Sequence, residues 1–242
     1  IFFSLPRFYE KVWESLGQSR IGRLYQEASD GLLRRLLRPL VRRGLLKKAG
    51  LDRCAQLIVG SAPSSEALLR DWRALGIEVH DAYGLTEAPL VTLNRLGQNQ
   101  LGTVGTPLPE TQVRLAEDGE VQVRGPQVTV GYFRDKAEAG YFEADVGAPF
   151  QDGWLCTGDL GRLTPEGRLV ICGRKKELLK TSYGKYIRPL KIETALRGVP
   201  GVVEALVVGD SRPYCAALLW VKDGRRDALR AGVIDRAVER LN

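Results

Sequence analysis

Residues 55–80 restrict the possible folds most, because strand and helix patterns alternate there. An apolar run at 55–59 is followed by Gly-Ser-Ala-Pro at 60–63. A helical pattern then begins at the serine pair 64–65 and ends at Gly76, and residues 77–80 resume a strand pattern. This spacing predicts one parallel βαβ unit of an α/β fold. Loops after parallel strands commonly bind ligands, so loops 60–63 and 81–87 are candidate ligand sites.

The pattern changes after residue 101. Valine and leucine alternate at 113–115 and 121–123 around the turn Glu117-Asp118-Gly119, which predicts a hairpin within a compact, bent β-subdomain. Beyond Arg174 the pattern predicts a smaller α+β region. Its expected elements are a β-like segment at 177–187, a helix at 190–197, strands at 202–208 and 215–221, and a last helix from about 225.

The composition is that of a globular protein, with 44% hydrophobic and 27% charged residues. No apolar run approaches the roughly 20 residues needed to span a bilayer, and the first residues lack a signal-peptide pattern. The four widely spaced cysteines and single histidine exclude a recognisable zinc site. We therefore expect buried, reduced thiols and a cytoplasmic location.

Much of the net charge of +7 lies between residues 20 and 53. Leucines recur there at helical spacing among seven cations, Arg34, Arg35, Arg38, Arg42, Arg43, Lys47 and Lys48. The pattern predicts a basic amphipathic helix that is broken or kinked near Pro39. Two interpretations remain open: the leucines pack on their own domain, or residues 20–50 lie peripherally on an anionic membrane surface. A nucleic-acid partner is not expected, because aromatic residues are not interleaved with the charges.

Three runs follow in fixed order: Asp-Ala-Tyr-Gly-Leu-Thr-Glu at 81–87, Trp-Leu-Cys-Thr-Gly-Asp at 154–159 and Gly-Arg-Lys-Lys at 173–176. Together they could activate a carboxylic acid with ATP, which requires binding adenine and ribose, neutralising phosphate charge and placing a metal ion. Tyr83 offers an aromatic face to a purine, and Gly84 allows close backbone approach. Each run alone has an ordinary alternative, since such sequences usually form turns, loops or solvated basic bends.

The remaining polar residues suit the phosphate and ribose. The Thr86 hydroxyl can donate to a phosphate oxygen, and Glu87 supplies a hard oxygen ligand for Mg²⁺. Asp159, in a turn flanked by glycine, can accept hydrogen bonds from ribose hydroxyls, and Arg174 can complete that clamp.

Five ordered runs resemble the adenylate-forming enzymes, which comprise the acyl- and aryl-CoA synthetases, luciferases and the adenylation domains of peptide synthetases. Besides 60–63, 83–87 and 154–159, they are Gly-Glu-Val-Gln-Val-Arg-Gly-Pro at 119–126 with Gly-Tyr-Phe at 131–133, and 173–176 with Lys-Thr-Ser at 180–182. The runs at 4–12 and 180–189, and the basic segment at 20–50, look most like the long-chain fatty acyl-CoA synthetases. The resemblance implies an AMP-forming acid–thiol ligase that uses ATP, Mg²⁺ and coenzyme A on a fatty acid.

The resemblance also implies roles for individual residues. Thr86 and Glu87 would be catalytic, with Glu87 as the Mg²⁺ ligand, and Lys176 would be a hinge. Ser182 and Gly184 would lie near the coenzyme A path. The implied ATP- and AMP-binding residues are Gly60, Ser61, Ala62, Pro63, Asp81, Ala82, Tyr83, Gly84, Thr86, Asp159, Arg174 and Lys185.

The implied architecture is α/β: the C-terminal part of a large adenylate-forming domain, with a mixed sheet and a bent β-subdomain, joined by a hinge to an incomplete small α+β domain. The large part would cover 1–174, as a basic helical segment at 1–50, a βαβ unit at 51–101 and the β-subdomain at 102–174, and the small domain would cover 175–242. A phosphate loop and a late catalytic lysine have no match, so we expect the chain to be part of a larger protein and inactive alone.

Alternatives stay open. Within the family the chain could belong to an acyl-AMP ligase or an aryl-CoA ligase. Outside it, the chain could be a non-catalytic protein that binds a nucleotide or acyl-adenylate, or a membrane-surface module.

Overall fold

The computed structural model describes residues 1–28, 31–131, 150–199 and 201–221. The chain divides into two compact units, one of Ile1–Ala82 with Asn94–Gly102 and one of Tyr83–Leu93 with the described residues from Thr103 onward. Tyr132, Phe133 and the helix predicted from about 225 lie outside the described residues. The boundary predicted at 174/175 stays a prediction.

The first unit is built around a parallel strand–helix–strand arrangement. Strand β1 pairs with β2 and β2 with β3, both in parallel, with Leu57 of β2 opposite both Phe2 and Val79. The elements are β1 Phe2–Ser4, α1 Pro6–Glu14, α2 Arg20–Glu27, α3 Leu32–Lys48, β2 Leu57–Val59, α4 Glu66–Ala74 and β3 Val79–Leu85, the last of which continues into the second unit. The predicted βαβ unit is confirmed in β2, α4 and β3.

Helix α4 begins and ends where the sequence predicts. The Ser65 hydroxyl accepts a hydrogen bond from the Leu68 N–H at 3.3 Å, which satisfies one of the free donors of the first turn. After the helix, Gly76 adopts a φ of +76°, which glycine reaches without steric cost.

The core of the first unit forms where α1 and α4 meet the strands. Trp72 of α4 is fully buried against Tyr9 of α1, with ring centroids 5.4 Å apart. The Tyr9 hydroxyl donates to the carbonyl oxygen of Ile58 at 2.9 Å, so this buried polar atom is paired. Truncating such an aromatic residue to alanine typically costs about 3–5 kcal/mol.

Helix α3 shows that the expected break near Pro39 is wrong, while the alternative, a kink there, stays a prediction. The helix runs through Pro39 as one element of 17 residues, and the helical structure is interrupted earlier, after Glu27. Val41 and Leu45 bury their side chains in the core, and this packing offsets the backbone hydrogen bond that proline cannot make. No helix among the described residues is long and apolar enough to cross a membrane.

The second unit is mainly β-structure. Its main sheet has the strand order β10-β9-β7-β6, with β8 also paired to β9. The predicted hairpin is confirmed, since β6 and β7 pair antiparallel with Val113 opposite Val123. The elements are β4 Ala88–Leu93, β5 Thr106–Pro107, β6 Gln112–Leu115, β7 Glu120–Arg124, β8 Phe150–Gln151, β9 Trp154–Leu163, β10 Leu169–Arg174, β11 Leu179–Lys180, β12 Tyr186–Ile187, α5 Pro189–Arg197, β13 Val202–Val208 and β14 Ala216–Val221.

Two predicted features of this unit differ in the structure. Instead of one β-like segment at 177–187, β11 and β12 form a small antiparallel pair, because residues 181–184 turn the chain back. Residues 81–85, expected in a loop, continue strand β3, and only Thr86 and Glu87 form the turn into β4. The helix and strands predicted between 190 and 221 are confirmed as α5, β13 and β14.

The cysteines also differ from expectation. Cys54, Cys156, Cys172 and Cys215 all lie in the described residues, are free thiols and are only partly buried. Each therefore keeps some solvent exposure instead of packing fully into a core.

Candidate functional site

A β-bulge places Asp159. Strand β9 pairs with β7 through Glu120 opposite Leu160 and Gln122 opposite Cys156, so the three residues 157–159 of β9 lie opposite the single residue Val121 of β7. Gly158 supports the bulge with a φ of +73°. The Gly-flanked turn predicted at Asp159 is therefore wrong: the glycine allows a bulge inside a ten-residue strand.

Asp159 is the centre of a buried polar cluster. Its Oδ2 accepts a hydrogen bond from the Tyr83 hydroxyl at 2.7 Å, and its Oδ1 accepts one from Arg174 Nε at 3.0 Å. The Asp159 side chain is 7% exposed, whereas that of Arg174 is 60% exposed. The carboxylate is thus held on two sides, while most of the guanidinium faces solvent.

The Tyr83 hydroxyl has a hydrogen-bonding role that the sequence did not suggest, while the proposed contact of its ring with adenine stays a prediction. Its ring is buried, and burial, followed by the negative charge of Asp159, raises the pKa of the Tyr83 hydroxyl well above its ordinary value. The hydroxyl therefore remains protonated and donates to Asp159 across the accessible pH range.

A second set of ion pairs lies next to the first. Lys175 Nζ lies 3.0 Å from Glu120 Oε2 and also pairs with Asp118. Hydrogen bonds to these two carboxylates raise the pKa of Lys175, and the same contact lowers the pKa of Asp118. The other oxygen of buried Glu120, Oε1, accepts from the Gly158 N–H at 2.8 Å. Glu120 therefore connects the bulge to Lys175.

Sequence reasoning missed this second set. A signal was present, because Glu120 is a charged residue in a strand whose first four residues are all buried. A buried carboxylate needs a partner, and the nearby hairpin turn and the 173–176 run contained candidates.

In the first unit, the predicted adenine-binding residues 60–63 follow the end of β2, and 81 and 82 lie within β3. A side chain on Gly60 would reach within 2.9 Å of the Ala82 carbonyl oxygen, so only glycine fits there. Ser61, Ala62 and Pro63 are exposed. Burial raises the pKa of the Asp81 carboxyl to about 7, although the N–H of Ala82 donates to it at 3.0 Å.

In the second unit, Gly84 lies near the end of β3, and Thr86 and Glu87 form the β3–β4 turn. A Cβ on Gly84 would lie 2.2 Å from the Pro89 carbonyl oxygen. The close approach that Gly84 permits is therefore to its own chain, where the sequence suggested a ligand. Thr86 is exposed and Glu87 is partly exposed.

The donor set decides how a Mg²⁺ ion could be held. No cluster of three or more His, Cys, Asp or Glu side chains occurs in the described residues. Glu87 would then be one carboxylate ligand, and Mg²⁺ is commonly bound by one or two carboxylates with phosphate oxygens and water completing its shell. The residues present fit an ion that arrives with a nucleotide.

The predicted residues beyond 174 are exposed. Lys176, Ser182, Gly184 and Lys185 all face solvent. Gly184 has a φ of +78°, and its N–H donates to the Thr181 carbonyl oxygen at 2.8 Å, which closes the turn between β11 and β12. The structure thus brings Tyr83, Asp159 and Arg174 into contact. The four predicted residues beyond 174 take no part in the hydrogen bonds described for that cluster.

Comparison with known proteins assigns the family. The sequence model of the AMP-binding enzyme family matches residues 1–133, and that of the AMP-binding enzyme C-terminal domain matches residues 176–242. The chain belongs to the AMP-binding enzyme family.

Individual relatives agree with this family. The chain is similar to long-chain-fatty-acid–CoA ligase FadD15 of Mycobacterium bovis, at 35% identity over 91% of this chain and 39% of the relative. It is also similar to human long-chain-fatty-acid–CoA ligase 6, at 37% identity over 68% of this chain and 25% of the relative. The chain thus spans about two fifths or less of the length of these curated relatives.

Solved structures confirm the fold. The anthranilate CoA ligase AuaEII in complex with anthranoyl-AMP matches with a TM-score of 0.66 and 26% identity, over 78% of this chain and 39% of that one. The o-succinylbenzoate CoA synthetase of Bacillus subtilis, bound to its acyl-adenylate intermediate, matches with a TM-score of 0.64 and 27% identity, over 81% and 43%. The predicted α/β architecture of an adenylate-forming enzyme is confirmed.

Proposed function

We propose that the protein is an ATP-dependent long-chain fatty acid–CoA ligase. In the first step a fatty acid carboxylate oxygen attacks the α-phosphorus of ATP, pyrophosphate leaves and acyl-AMP forms. In the second step the sulfur of coenzyme A attacks the acyl carbonyl carbon, AMP leaves and a thioester forms. The 35% identity to FadD15 over 91% of this chain supports this substrate class.

The observation that carries the proposal is the pairing of Asp159 with both Tyr83 and Arg174. An ionised carboxylate has about four lone-pair sites, and these two hydrogen bonds use two of them. The remaining sites can accept the two hydroxyl protons of a ribose. Because Tyr83 and Arg174 already hold the carboxylate, it needs little reorganisation to bind the sugar.

The phosphate end of the nucleotide would lie near the β3–β4 turn. Thr86 would donate its exposed hydroxyl to the α-phosphate, and Glu87 would ligate Mg²⁺. The metal, when bound with ATP, neutralises charge on the phosphates and the leaving pyrophosphate. Adenine contacts are proposed for residues 60–63, 81 and 82 of the first unit and, separately, for Tyr83 and Gly84 of the second.

The region after Arg174 would serve the second step. Lys176 would act as the hinge for the smaller domain, Ser182 and Gly184 would border the coenzyme A path, and Lys185 would approach the nucleotide phosphates. The family models that match residues 1–133 and 176–242 support a boundary close to this hinge.

Calorimetric titration of the chain with a non-hydrolysable palmitoyl-adenylate analogue tests the ribose site. We expect the parent chain to bind and Asp159→Ala to lose at least about tenfold in affinity, because an unpaired ribose hydroxyl costs about 1–3 kcal/mol. Asp52→Ala, which removes an exposed carboxylate elsewhere, is the matched control. Equal affinity in the Asp159 variant and the parent would refute the clamp.

An aryl-CoA ligase is the second candidate, because the two solved neighbours described above act on aromatic acids by their names. An acyl-AMP ligase is the third. Product analysis of the full-length enzyme separates them: palmitate with coenzyme A should give palmitoyl-CoA. A preference for benzoate-type acids, or accumulation of acyl-AMP in the presence of coenzyme A, would contradict the long-chain CoA ligase.

A further inference from the structure

Helix α3 is apolar on two sides. Its inner side buries Val41 and Leu45 in the core of the first unit. On its outer side Leu32, Leu36 and Leu40 are 74%, 63% and 62% exposed. These three leucines are spaced by four residues and therefore form one stripe along the helix. We call this stripe, with neighbouring Leu33, the outer leucine stripe.

Exposed cations surround the outer leucine stripe. Arg43 and Lys47 continue the stripe towards the C-terminal end of the helix, since they follow Leu40 by three and seven residues. Arg35 and Arg42, seven residues apart, lie together on one flank. All four of these side chains are exposed. The outer side of α3 thus combines an apolar surface with a basic border.

The charge of the chain is concentrated in this region. Residues 20–53 contain ten basic and three acidic residues, a net charge of +7 that equals the charge of the whole chain. The rest of the sequence has equal numbers of acidic and basic residues, 26 of each. A partner for the outer leucine stripe must therefore accept leucine side chains and carry negative charge.

A shallow depression lies on the inner side of α3, because Arg34 and Arg38, which line it, precede the buried Val41 and Leu45 by seven residues and share their side of the helix. It has a volume of about 220 Å³ and is lined by Tyr25, Gly31, Ala74 and three arginines, Arg34, Arg35 and Arg38. The Arg34 guanidinium lies 4.9 Å from the Tyr25 ring centroid, which orders one of the three cations. The depression therefore faces away from the outer leucine stripe and is not part of its basic border.

We propose that the outer side of α3 docks on an anionic phospholipid surface. The leucines enter the boundary between headgroups and acyl chains, and the arginines and lysines contact headgroup phosphates. A nucleic acid would leave the leucines in water, and a neutral apolar partner would leave the cations unmatched. This proposal goes beyond the ligase activity and does not depend on it, since no residue of the nucleotide site takes part.

Vesicle flotation with the 242-residue chain tests the docking. The chain should float with vesicles of phosphatidylcholine and phosphatidylglycerol and remain unbound with phosphatidylcholine alone. The triple variant Arg35→Gln/Arg42→Gln/Arg43→Gln should lower partitioning at least about tenfold, because each surface cation contributes roughly fivefold. The triple variant Leu32→Ser/Leu36→Ser/Leu40→Ser should lower it at least about tenfold as well, because it removes the apolar surface that enters the membrane. High salt should weaken binding by the parent chain.

Matched controls remove equal numbers of exposed cations and of exposed leucines at other positions. Arg124→Gln/Arg162→Gln/Arg212→Gln removes three exposed cations elsewhere, and Leu96→Ser/Leu163→Ser/Leu218→Ser removes three exposed leucines elsewhere. Both controls should bind like the parent, and circular dichroism should show that all four variants are folded. An equal loss of vesicle binding in the charge control would show that net charge alone determines binding. That result would overturn the proposal.

Two other occupants of the stripe give distinct results. If a second copy of this chain covers it, sedimentation will show a dimer that only the helix leucine variant dissociates, with no vesicle binding. If another part of a longer protein covers it, the longer protein will fail to bind vesicles that the 242-residue chain binds. Either result overturns the proposal.

Discussion

Tyr83 and Asp159 lie 76 residues apart in sequence and are joined by a hydrogen bond of 2.7 Å between hydroxyl and carboxylate. The bond connects the end of β3 to the bulge of β9. Both residues are buried, so each polar group would lack water if the other were removed. The same contact therefore stabilises the second unit and orients the carboxylate proposed to bind ribose.

The first prediction concerns the hydroxyl of Tyr83. Tyr83→Phe should lower the free energy of unfolding by about 1–3 kcal/mol, because a buried carboxylate oxygen loses its donor. Binding of the palmitoyl-adenylate analogue should weaken as well, since Asp159 is then held only by Arg174. Urea denaturation and calorimetry measure the two effects. Tyr186→Phe, at an exposed tyrosine, is the control and should change neither.

The second prediction separates two glycines. Gly84→Ala should destabilise the chain by about 1–3 kcal/mol or more, since the new Cβ would lie 2.2 Å from the Pro89 carbonyl oxygen. Gly44→Ala in α3 has no atom within 4 Å of its new Cβ and should stabilise by about 0.5–1 kcal/mol. Thermal unfolding measures the stability of both variants. A Gly84→Ala variant as stable as the parent would contradict this account.

The third prediction concerns Lys175 and its neighbour. Lys175→Ala should destabilise the chain by about 1 kcal/mol, because buried Glu120 loses its cation while the pair remains partly solvated. Lys176→Ala, at an exposed side chain, should stay within about 0.5 kcal/mol of the parent. If urea denaturation gave equal losses for both lysines, the proposed difference between an anchored Lys175 and a hinge at Lys176 would be wrong.

The fourth prediction is a pH dependence caused by Asp81. Its pKa rises from 3.8 to about 7 because burial disfavours the carboxylate. Below pH 3.8 the carboxyl is protonated in both folded and unfolded chains, and between pH 3.8 and 7 only the unfolded chain loses the proton. The contribution of Asp81 to stability therefore falls as pH rises through this window.

Asp81→Asn should remove that loss. At pH 8 the variant should exceed the parent in unfolding free energy by at least about 1 kcal/mol, since one pKa unit corresponds to about 1.4 kcal/mol. Near pH 4 the two should converge. Asp52→Asn, at an exposed carboxyl, should show no difference that depends on pH. A constant offset between Asp81→Asn and the parent across pH 4–8 would argue against a buried, protonated Asp81.

Local patterns predicted helix α4 and the β6–β7 hairpin. The Ser65 cap and Gly76 define α4 because both act within a few residues, and the alternation around Gly119 defines the β6–β7 hairpin for the same reason. The break expected at Pro39 did not occur, because burial of Val41 and Leu45 outweighs a local penalty. The resemblance to adenylate-forming enzymes predicted the family, which the comparisons confirm.

The features that the sequence could not predict depend on the pairing register between strands that are far apart in sequence. The bulge at 157–159 exists only because Glu120 and Gln122 of β7 meet β9 at set positions. The bond from Gly158 to Glu120 spans 38 residues, and no local pattern encodes it. The outer leucine stripe was hidden for a related reason: helical periodicity identifies apolar positions but not which of them the core covers.

The consecutive anchoring of Arg174 and Lys175 has a mechanical consequence. The Arg174 side chain pairs with Asp159, and the Lys175 side chain pairs with Asp118 and Glu120. All of these carboxylates lie on the strands and turn of one sheet. The two ion pairs restrict rotation of the backbone at Arg174 and Lys175, because such a rotation would break one pair or the other. If the following segment rotates at the proposed hinge, the change in backbone torsion angles would therefore begin no earlier than Lys176, and the sheet up to Lys175 would stay fixed.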